Sequence, residues 1–192
     1  MNGFTHYIEF KILENDRRIY NLIFQKLHNV FSEEICNNGS NHCAISMPQY
    51  NKEKMHFGNI IRIFASSEEK LNSLNLKERF KNLFDFVIIS SISPIPTNKN
   101  FKYARYKKLG SRAINGIAKR YMKHHNVSEE EAKQIINRKW FDTPFAWLTS
   151  NSSGNRYPLI IAKTYLNNEE STELYGMTKS NNYGLVACVP EW

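Results

Sequence analysis

Nine cations, Lys99, Lys102, Arg105, Lys107, Lys108, Arg112, Lys119, Arg120 and Lys123, fall between Phe86 and Ser128, a stretch that holds no Asp and no Glu. Acids spread evenly along the chain would place roughly four there, so the stretch reads as a surface that accepts a polyanion, and its chemistry is phosphate neutralisation. With 3.6 residues per turn, Arg112, Gly116, Lys119 and Lys123 share one face of a helix expected from Arg112 to His124, with Arg120 on the flank. Ala113, Ile114, Ile117, Ala118 and Tyr121 take the other side. One face packs and the other meets phosphates. A solvated amphipathic helix competes with this reading, but such a helix usually sets Glu or Asp four residues from its lysines, and this one has none. Both an RNA hairpin and a DNA duplex fit a basic face of this kind.

The rest of the composition narrows the chemistry. Cys36, Cys43 and Cys188 form an odd set with no C-x-x-C pair, so neither a disulfide framework nor a zinc site is expected. No tight Asp/Glu/His cluster has metal-ligand spacing, and neither metal nor cofactor is expected. Glu9, Lys11, Glu14 and Asp16 interrupt the N-terminal apolar positions, which fits neither a signal peptide nor a membrane span and points to a cytoplasmic protein. The 192 residues are 41% hydrophobic and carry a formal net charge of +8, an ordinary globular composition with a basic bias.

The elements that must position these side chains follow from pattern. Residues 4–13 read as a strand, and Ile19, Leu22, Ile23, Leu27 and Val30 predict a helix from Arg18 to Phe31, with an Asn-, Gly- and Ser-rich loop over 33–42. Strands are predicted at 43–48 and 59–66, then a helix capped by Ser66 or Ser67 that reaches toward Phe84, and a fourth strand over 86–96 closed by Pro94 and Pro96. This βαββαβ order predicts an α+β protein with an N-terminal ferredoxin-like domain over 1–96. The prolines and the polar 97–100 mark the boundary, and 97–192 is expected to be a second α+β domain, carrying the nucleic-acid-binding face, in which a linker leads to the basic helix. A helix from Ser128 to Arg138 and strands at 145–150, 156–166, 172–179 and 185–192 complete it.

The segments HYIEFKIL (6–13), FQKLH (24–28), ISMP (45–48), RIFAS (62–66), KRYMKHHNVSEEEA (119–132), PFAWLTSNSSGNRY (144–157) and YGMTK (175–179) stand in an informative order. Together they resemble the CRISPR-associated crRNA-processing endoribonuclease of type I-F systems, the short two-domain branch of the Cas-six family. The resemblance spans nearly the whole chain, and its specificity lies in the joint order and spacing of the segments. It implies that His28, at the end of the first helix, acts on a ribose 2′-hydroxyl, although a lone His at a helix end is more often a cap or a surface residue. An imidazole titrating near 6.5 suits a general base at neutral pH. The resemblance places the active-site serine at Ser150, which would hold the 2′-hydroxyl in line with phosphorus; Ser152 shares its strand face by period two, and the choice between them rests on alignment. It places a tyrosine that holds the sugar or the histidine at Tyr175, where the residues alone suggest a core tyrosine.

This chemistry needs no metal, because RNA carries its own nucleophile, and it implies a 2′,3′-cyclic phosphate and a 5′-hydroxyl as products. Lys119, Arg120, Lys123, His124 and His125 align with the family's arginine-rich helix, which enters the major groove of the repeat stem. Tyr157 matches the aromatic that stacks under the terminal base pair. Lys108 stands where the family has an arginine reading the lowest stem base pair, and Gly110 where it often has a glutamine, so base readout falls to Lys107, Lys108 or Arg112. The implied function is a metal-independent endoribonuclease that cuts the CRISPR repeat hairpin at the 3′ base of its stem. It is expected to be a monomer when free, and to stay on the mature crRNA with the other subunits of the type I-F effector complex. A hairpin-binding subunit with no cleavage role is the alternative.

Overall fold

The computed structural model describes residues 3–97, 99–109, 111–166, 183–185 and 188–192. The first strand, β1 (His6–Ile12), alternates as its residues dictate, with Ile8, Phe10 and Ile12 buried and Lys11 exposed. The first helix, α1 (Arg17–Asn38), starts at Asp16, whose carboxylate accepts from the Arg18 N–H at 2.7 Å. It ends at Gly39, left-handed at φ 72°, whose N–H donates to Ile35 O. The helix therefore runs past the expected end at Phe31 and takes up much of the expected loop over 33–42. Ile35 extends the apolar row one turn beyond Phe31, and the Glu33–Arg79 ion pair at 2.7 Å ties down the same turn. The Asn- and Gly-rich composition marks the helix exit only.

After β2 (Ala44–Ser46) and β3 (Ile60–Ala65), the Ser67 hydroxyl caps α2 (Glu68–Ser73) by accepting from the Lys70 N–H. The continuous helix expected toward Phe84 is broken at Asn75, left-handed at φ 46°, and resumes as α3 (Leu76–Arg79) and a 3₁₀ turn (Lys81–Leu83). One straight helix would aim Leu71 and Leu74 away from Leu76, Phe80 and Leu83. The break lets all five reach the core. The strand expected over 86–96 is two short pieces, β4 (Val87–Ile89) and β5 (Ser93–Pro94), both antiparallel to β1. The main path of this sheet is β2-β3-β1-β4, and every pair is antiparallel.

The segment expected as a linker is a strand, β6 (Lys102–Leu109). Ala104 and Tyr106 are buried between the more exposed Arg105 and Lys107, an alternation that the density of charge concealed. The helices α4 (Ser111–His125) and α5 (Glu129–Phe141) follow, then β7 (Phe145–Thr149), β8 (Arg156–Tyr165) and β9 (Val189–Glu191). The second sheet has the order β7-β8-β6-β9, again antiparallel, so the architecture is mixed α+β. The strand expected at 172–179 and Gly110 lie outside the described residues.

The two faces of the second sheet bury against different partners. Ala104, Tyr106, Ala146, Leu148, Leu159 and Ile161 join the core of the first sheet and α1 in one cluster. Leu109 and Ile160, on the opposite face, cover Ala118, Ala132 and Ile136 of α4 and α5. A buried polar knot crosses between the sheets. Glu191 pairs with Lys163 at 2.6 Å, accepts from Ser46 Oγ at 2.9 Å and accepts from the Tyr106 hydroxyl, while Lys163 also donates to Met47 O at 3.2 Å. Among the described residues no helix is long and apolar enough to cross a membrane.

Candidate active site

The apolar row of α1, Ile19, Ile23, Phe24, Leu27 and Phe31, turns toward the core, and His28 stands on its flank with only 9% of its surface exposed. It lies in the middle of α1, not at the helix end, so the C-terminal helix charge does not act on it. Its Nδ1 is 3.5 Å from Ser32 Oγ and its Nε2 is 3.5 Å from the Tyr157 hydroxyl, both at the outer edge of hydrogen bonding. The ring stacks on Tyr183 with centroids 4.8 Å apart and planes 11° from parallel.

A row of amides beside His28 fixes this helix to the second sheet. Asn21, Gln25 and Asn29 are one turn apart and face the open edge of β7. The Trp147 N–H donates to Asn21 Oδ1 at 2.7 Å, the Thr149 N–H donates to Gln25 Oε1 at 2.6 Å, and Gln25 Nε2 donates back to Thr149 O at 3.2 Å. Asn29 Oδ1 receives Nε2 of Gln25 and Nδ2 of Asn151. The helix side chains thus complete hydrogen bonds that a neighbouring strand would make, and they bring the β7–β8 hairpin beside His28.

Ser150 opens that hairpin. Its N–H donates to Asn155 O at 2.9 Å and its carbonyl accepts from the Gly154 N–H at 2.8 Å, with Gly154 left-handed at φ 69°. The Ser150 and Ser152 hydroxyls are 3.1 Å apart, and both line one open cleft of about 600 Å³ with His28, Lys108, Tyr157 and Tyr183. Ser32, Asn151, Ser153 and Asn155 complete its lining, and none of these residues is acidic.

Lys108 continues the inward row of Ala104 and Tyr106 along β6, so it enters this cleft, whereas Lys107 is exposed on the opposite row. Its Nζ donates to the Tyr183 hydroxyl at 2.7 Å and lies 4.2 Å from that ring's centroid and 5.4 Å from that of Tyr157. Desolvation holds its ammonium below the ordinary lysine range, against the opposing pull of Tyr157. Tyr157 and Tyr183 approach hydroxyl to hydroxyl at 3.4 Å, and burial, followed by that contact, pushes the Tyr157 phenol well up.

The Tyr175 position lies outside the described residues; among those described, Tyr183 stacks on His28 and Tyr157 meets its Nε2. The signal for Tyr183 was a second Tyr-Gly pair, Tyr183-Gly184, eight positions after Tyr175-Gly176. Gly184 explains its place: it is left-handed at φ 69°, and a Cβ there would lie 2.7 Å from Phe31 Cε2 and 2.8 Å from Ile45 Cγ1. The Ile45 N–H donates to Gly184 O at 2.7 Å, which holds Tyr183 over the histidine. Nothing in the sequence announced the amide row.

The basic helix is separate from the cleft lining. Lys119, Arg120, Lys123, His124 and His125 are exposed on α4, with the His125 ring stacked on Tyr121 at 4.1 Å, and Ile117, Ala118, Tyr121 and Met122 pack toward α5 and the sheet. Arg112 belongs to the first turns of the same helix. Gly116 faces open space, with no neighbour within 4 Å of the point a Cβ would occupy. Among the described residues no three metal-ligating side chains come together.

A curated relative, the CRISPR-associated endonuclease Cas6/Csy4 of Pseudomonas aeruginosa (strain UCBPP-PA14), is 23% identical over 184 residues, which cover 91% of this chain and 95% of the relative. A solved structure described as CRISPR endoribonuclease Cse3 bound to 19 nt RNA aligns over 98% of both chains at 8% identity, with a TM-score of 0.36, too low to speak to a shared fold. The family model of the CRISPR-associated protein Cas_Csy4 matches residues 7–192, and the chain belongs to that family.

Proposed function

We propose that this protein is a metal-independent endoribonuclease that binds the CRISPR repeat hairpin, cuts precursor crRNA at the 3′ base of the stem and stays bound to the product within a type I-F effector complex. The observation that carries the reading is the meeting of His28, from α1, with Ser150, from the β7–β8 hairpin, in one cleft whose described lining holds a cation and no acid. Family membership and the relative named an endonuclease support it. The strand order β2-β3-β1-β4, with α1 between β1 and β2, supports a ferredoxin-like first half. The chain leaves the first sheet at Pro94 and enters the second at Lys102, in keeping with a division near residues 96 and 97.

In this mechanism His28 removes the proton of a ribose 2′-hydroxyl, the freed oxygen bonds to the adjacent phosphorus, and the bond from phosphorus to the 5′-oxygen breaks. A cyclic phosphate and a 5′-hydroxyl result. Ser150, held at the mouth of its hairpin, orients the 2′-hydroxyl, and Tyr183, by stacking on the imidazole, holds the ring plane in the role that the family resemblance assigned to Tyr175. Tyr157 contributes its hydroxyl to the histidine and its ring to the end of the stem. The exposed cations of α4 and Lys107 grip the phosphates of the hairpin.

The test is single-turnover cleavage of the host's repeat hairpin by the intact protein and by His28→Ala, with RNA affinity measured at one stated salt concentration. Loss of a general base lowers the rate by roughly 100- to 10,000-fold. The expected result is that loss with binding retained, and wild-type cleavage unchanged by chelator. Cleavage that needs a divalent ion, or that survives His28→Ala, contradicts the proposal, and an intact protein that binds without cutting is a hairpin-binding subunit.

A further inference from the structure

We infer that Lys108 is a catalytic residue that binds the scissile phosphate, rather than a reader of the stem's lowest base pair. This rests on the reading of the cleft as a ribonuclease site. Strand geometry supports it first. Successive residues of β6 point to opposite faces, so a side chain on the Ala104 and Tyr106 row is committed to the side where His28 lies, and the row of Lys107 and Leu109 to the side of the helix pair.

Charge supports it independently. The Lys108 ammonium is half withdrawn from water, yet the described residues lining the cleft include no carboxylate to balance it. Its hydrogen-bond partner is the neutral Tyr183 hydroxyl, and its other neighbours are the faces of Tyr183 and Tyr157. An ammonium carries three donors, so the group is held in place by one contact and keeps donors for an incoming anion. A cation fixed in a partly desolvated cleft beside a base is suited to a phosphoryl group whose negative charge grows during reaction.

In the reacting complex the 2′-hydroxyl proton passes to His28, the 2′-oxygen bonds to phosphorus, and charge on the non-bridging oxygens rises from one to two units while Lys108 donates hydrogen bonds to one of them. The 5′-oxygen then leaves with the electron pair of its bond to phosphorus and takes a proton from water. Lys108 keeps its own proton throughout. Tyr183 couples the two groups, since one ring both stacks on His28 and holds Nζ.

Three readouts test this with the whole protein and its repeat hairpin. Lys108→Met lowers the single-turnover rate roughly 100-fold or more, the usual consequence of removing one preorganised donor, with RNA affinity within about threefold of wild type. Sulfur in place of the contacted non-bridging oxygen slows the wild-type enzyme and slows Lys108→Met much less. Swapping the lowest stem base pair affects wild type and variant by the same factor. A full-rate variant, or one whose affinity or base-pair preference changes instead, overturns the assignment. Lys108→Arg, which keeps the charge, recovers part of the rate if its thermal melt matches wild type; a thio effect equal in all three proteins refutes phosphate contact without reference to folding. His28→Ala runs in parallel. If it is inactive while Lys108→Met is not, only Lys108 is misassigned; if His28→Ala cuts at full rate, the reading of the cleft falls too.

Discussion

Gly184→Ala is expected to be among the most damaging single-methyl additions in this chain, and its cost can be built from two parts. The first is conformational: φ is +69°, and a residue with a Cβ in the left-handed region loses roughly 1 to 2 kcal/mol. The second is steric. The new methyl would lie 2.7 Å from Phe31 Cε2 and 2.8 Å from Ile45 Cγ1, against a carbon–carbon optimum of about 3.5 to 4.0 Å, and both neighbours are fully buried. Overpacking of this kind costs roughly 1 to 3 kcal/mol. The sum is roughly 2 to 5 kcal/mol, or a fall in melting temperature of about 5 to 15 °C for a chain of this size. Gly39→Ala separates the parts, because Gly39 has the same left-handed backbone at φ +72° but no atom within 4 Å of the added methyl. It should lose only the conformational part. Because Gly184 sets Tyr183 over His28, Gly184→Ala also slows single-turnover cleavage at temperatures where it remains folded, and Gly39→Ala does not. Thermal unfolding followed by circular dichroism and RNA cleavage read the two effects. Equal stability losses in both variants would refute the packing argument.

Other consequences come from the same geometry. Glu191→Gln leaves the Lys163 ammonium, whose side chain is 4% exposed, without its counter-charge, and should cost roughly 3 to 5 kcal/mol in urea unfolding; the double change Glu191→Gln with Lys163→Met should recover much of that loss, and strict additivity would show the pair is not coupled. Burial pushes the phenols of Tyr20 and Tyr50 up to about 12, and their hydroxyls donate to Gly58 O and Ile161 O. Because the unfolded phenol ionises near 10, this contribution is complete below about pH 10 and is lost as pH rises toward 12, so the part of the tyrosinate absorbance that Tyr20→Phe and Tyr50→Phe remove should appear together with alkaline unfolding. If the absorbance those two substitutions remove forms near pH 10 while the protein is folded, this is contradicted. Gln25→Ala removes the pair of bonds that join α1 to Thr149, and should lower the cleavage rate more than RNA affinity, with a stability loss of about 1 to 2 kcal/mol; unchanged rate with weakened binding would place Gln25 on the RNA instead.

Much of this arrangement was legible in the residues because local chemistry decided it. The apolar spacing of Ile19, Ile23 and Leu27 declared α1, and the segment FQKLH set His28 on it. The period-two rows of 145–150 and 156–166 predicted the hairpin that carries Ser150. What escaped depended on contacts remote in sequence. The last turns of α1 are held through Arg79, and β6 was hidden because its outward charges resemble those of a solvated linker while its inward row, Ala104 and Tyr106, contributes only two buried residues. Lys108 looked like part of one basic surface; strand pleating, which alternates faces, separates it from Lys107. The helix expected to end near Phe84 broke because its leucines had to serve one core from two sides of a helix. That Tyr183 stacks on His28 turned on the wedge of Gly184 between Phe31 and Ile45, a fit that only three dimensions display. Gln25 has no sequence signature, since a helix glutamine facing a sheet edge looks like any solvated amide.

In the proposed mechanism the RNA supplies the nucleophile and this cleft supplies the base. It is tested most directly by replacing one 2′-hydroxyl of the repeat hairpin, on the nucleotide preceding the cut, with hydrogen. The expected result is unchanged binding, no cleavage, and a 2′,3′-cyclic phosphate on the product of the unmodified hairpin. Cleavage of the deoxy substrate at the wild-type rate would contradict it.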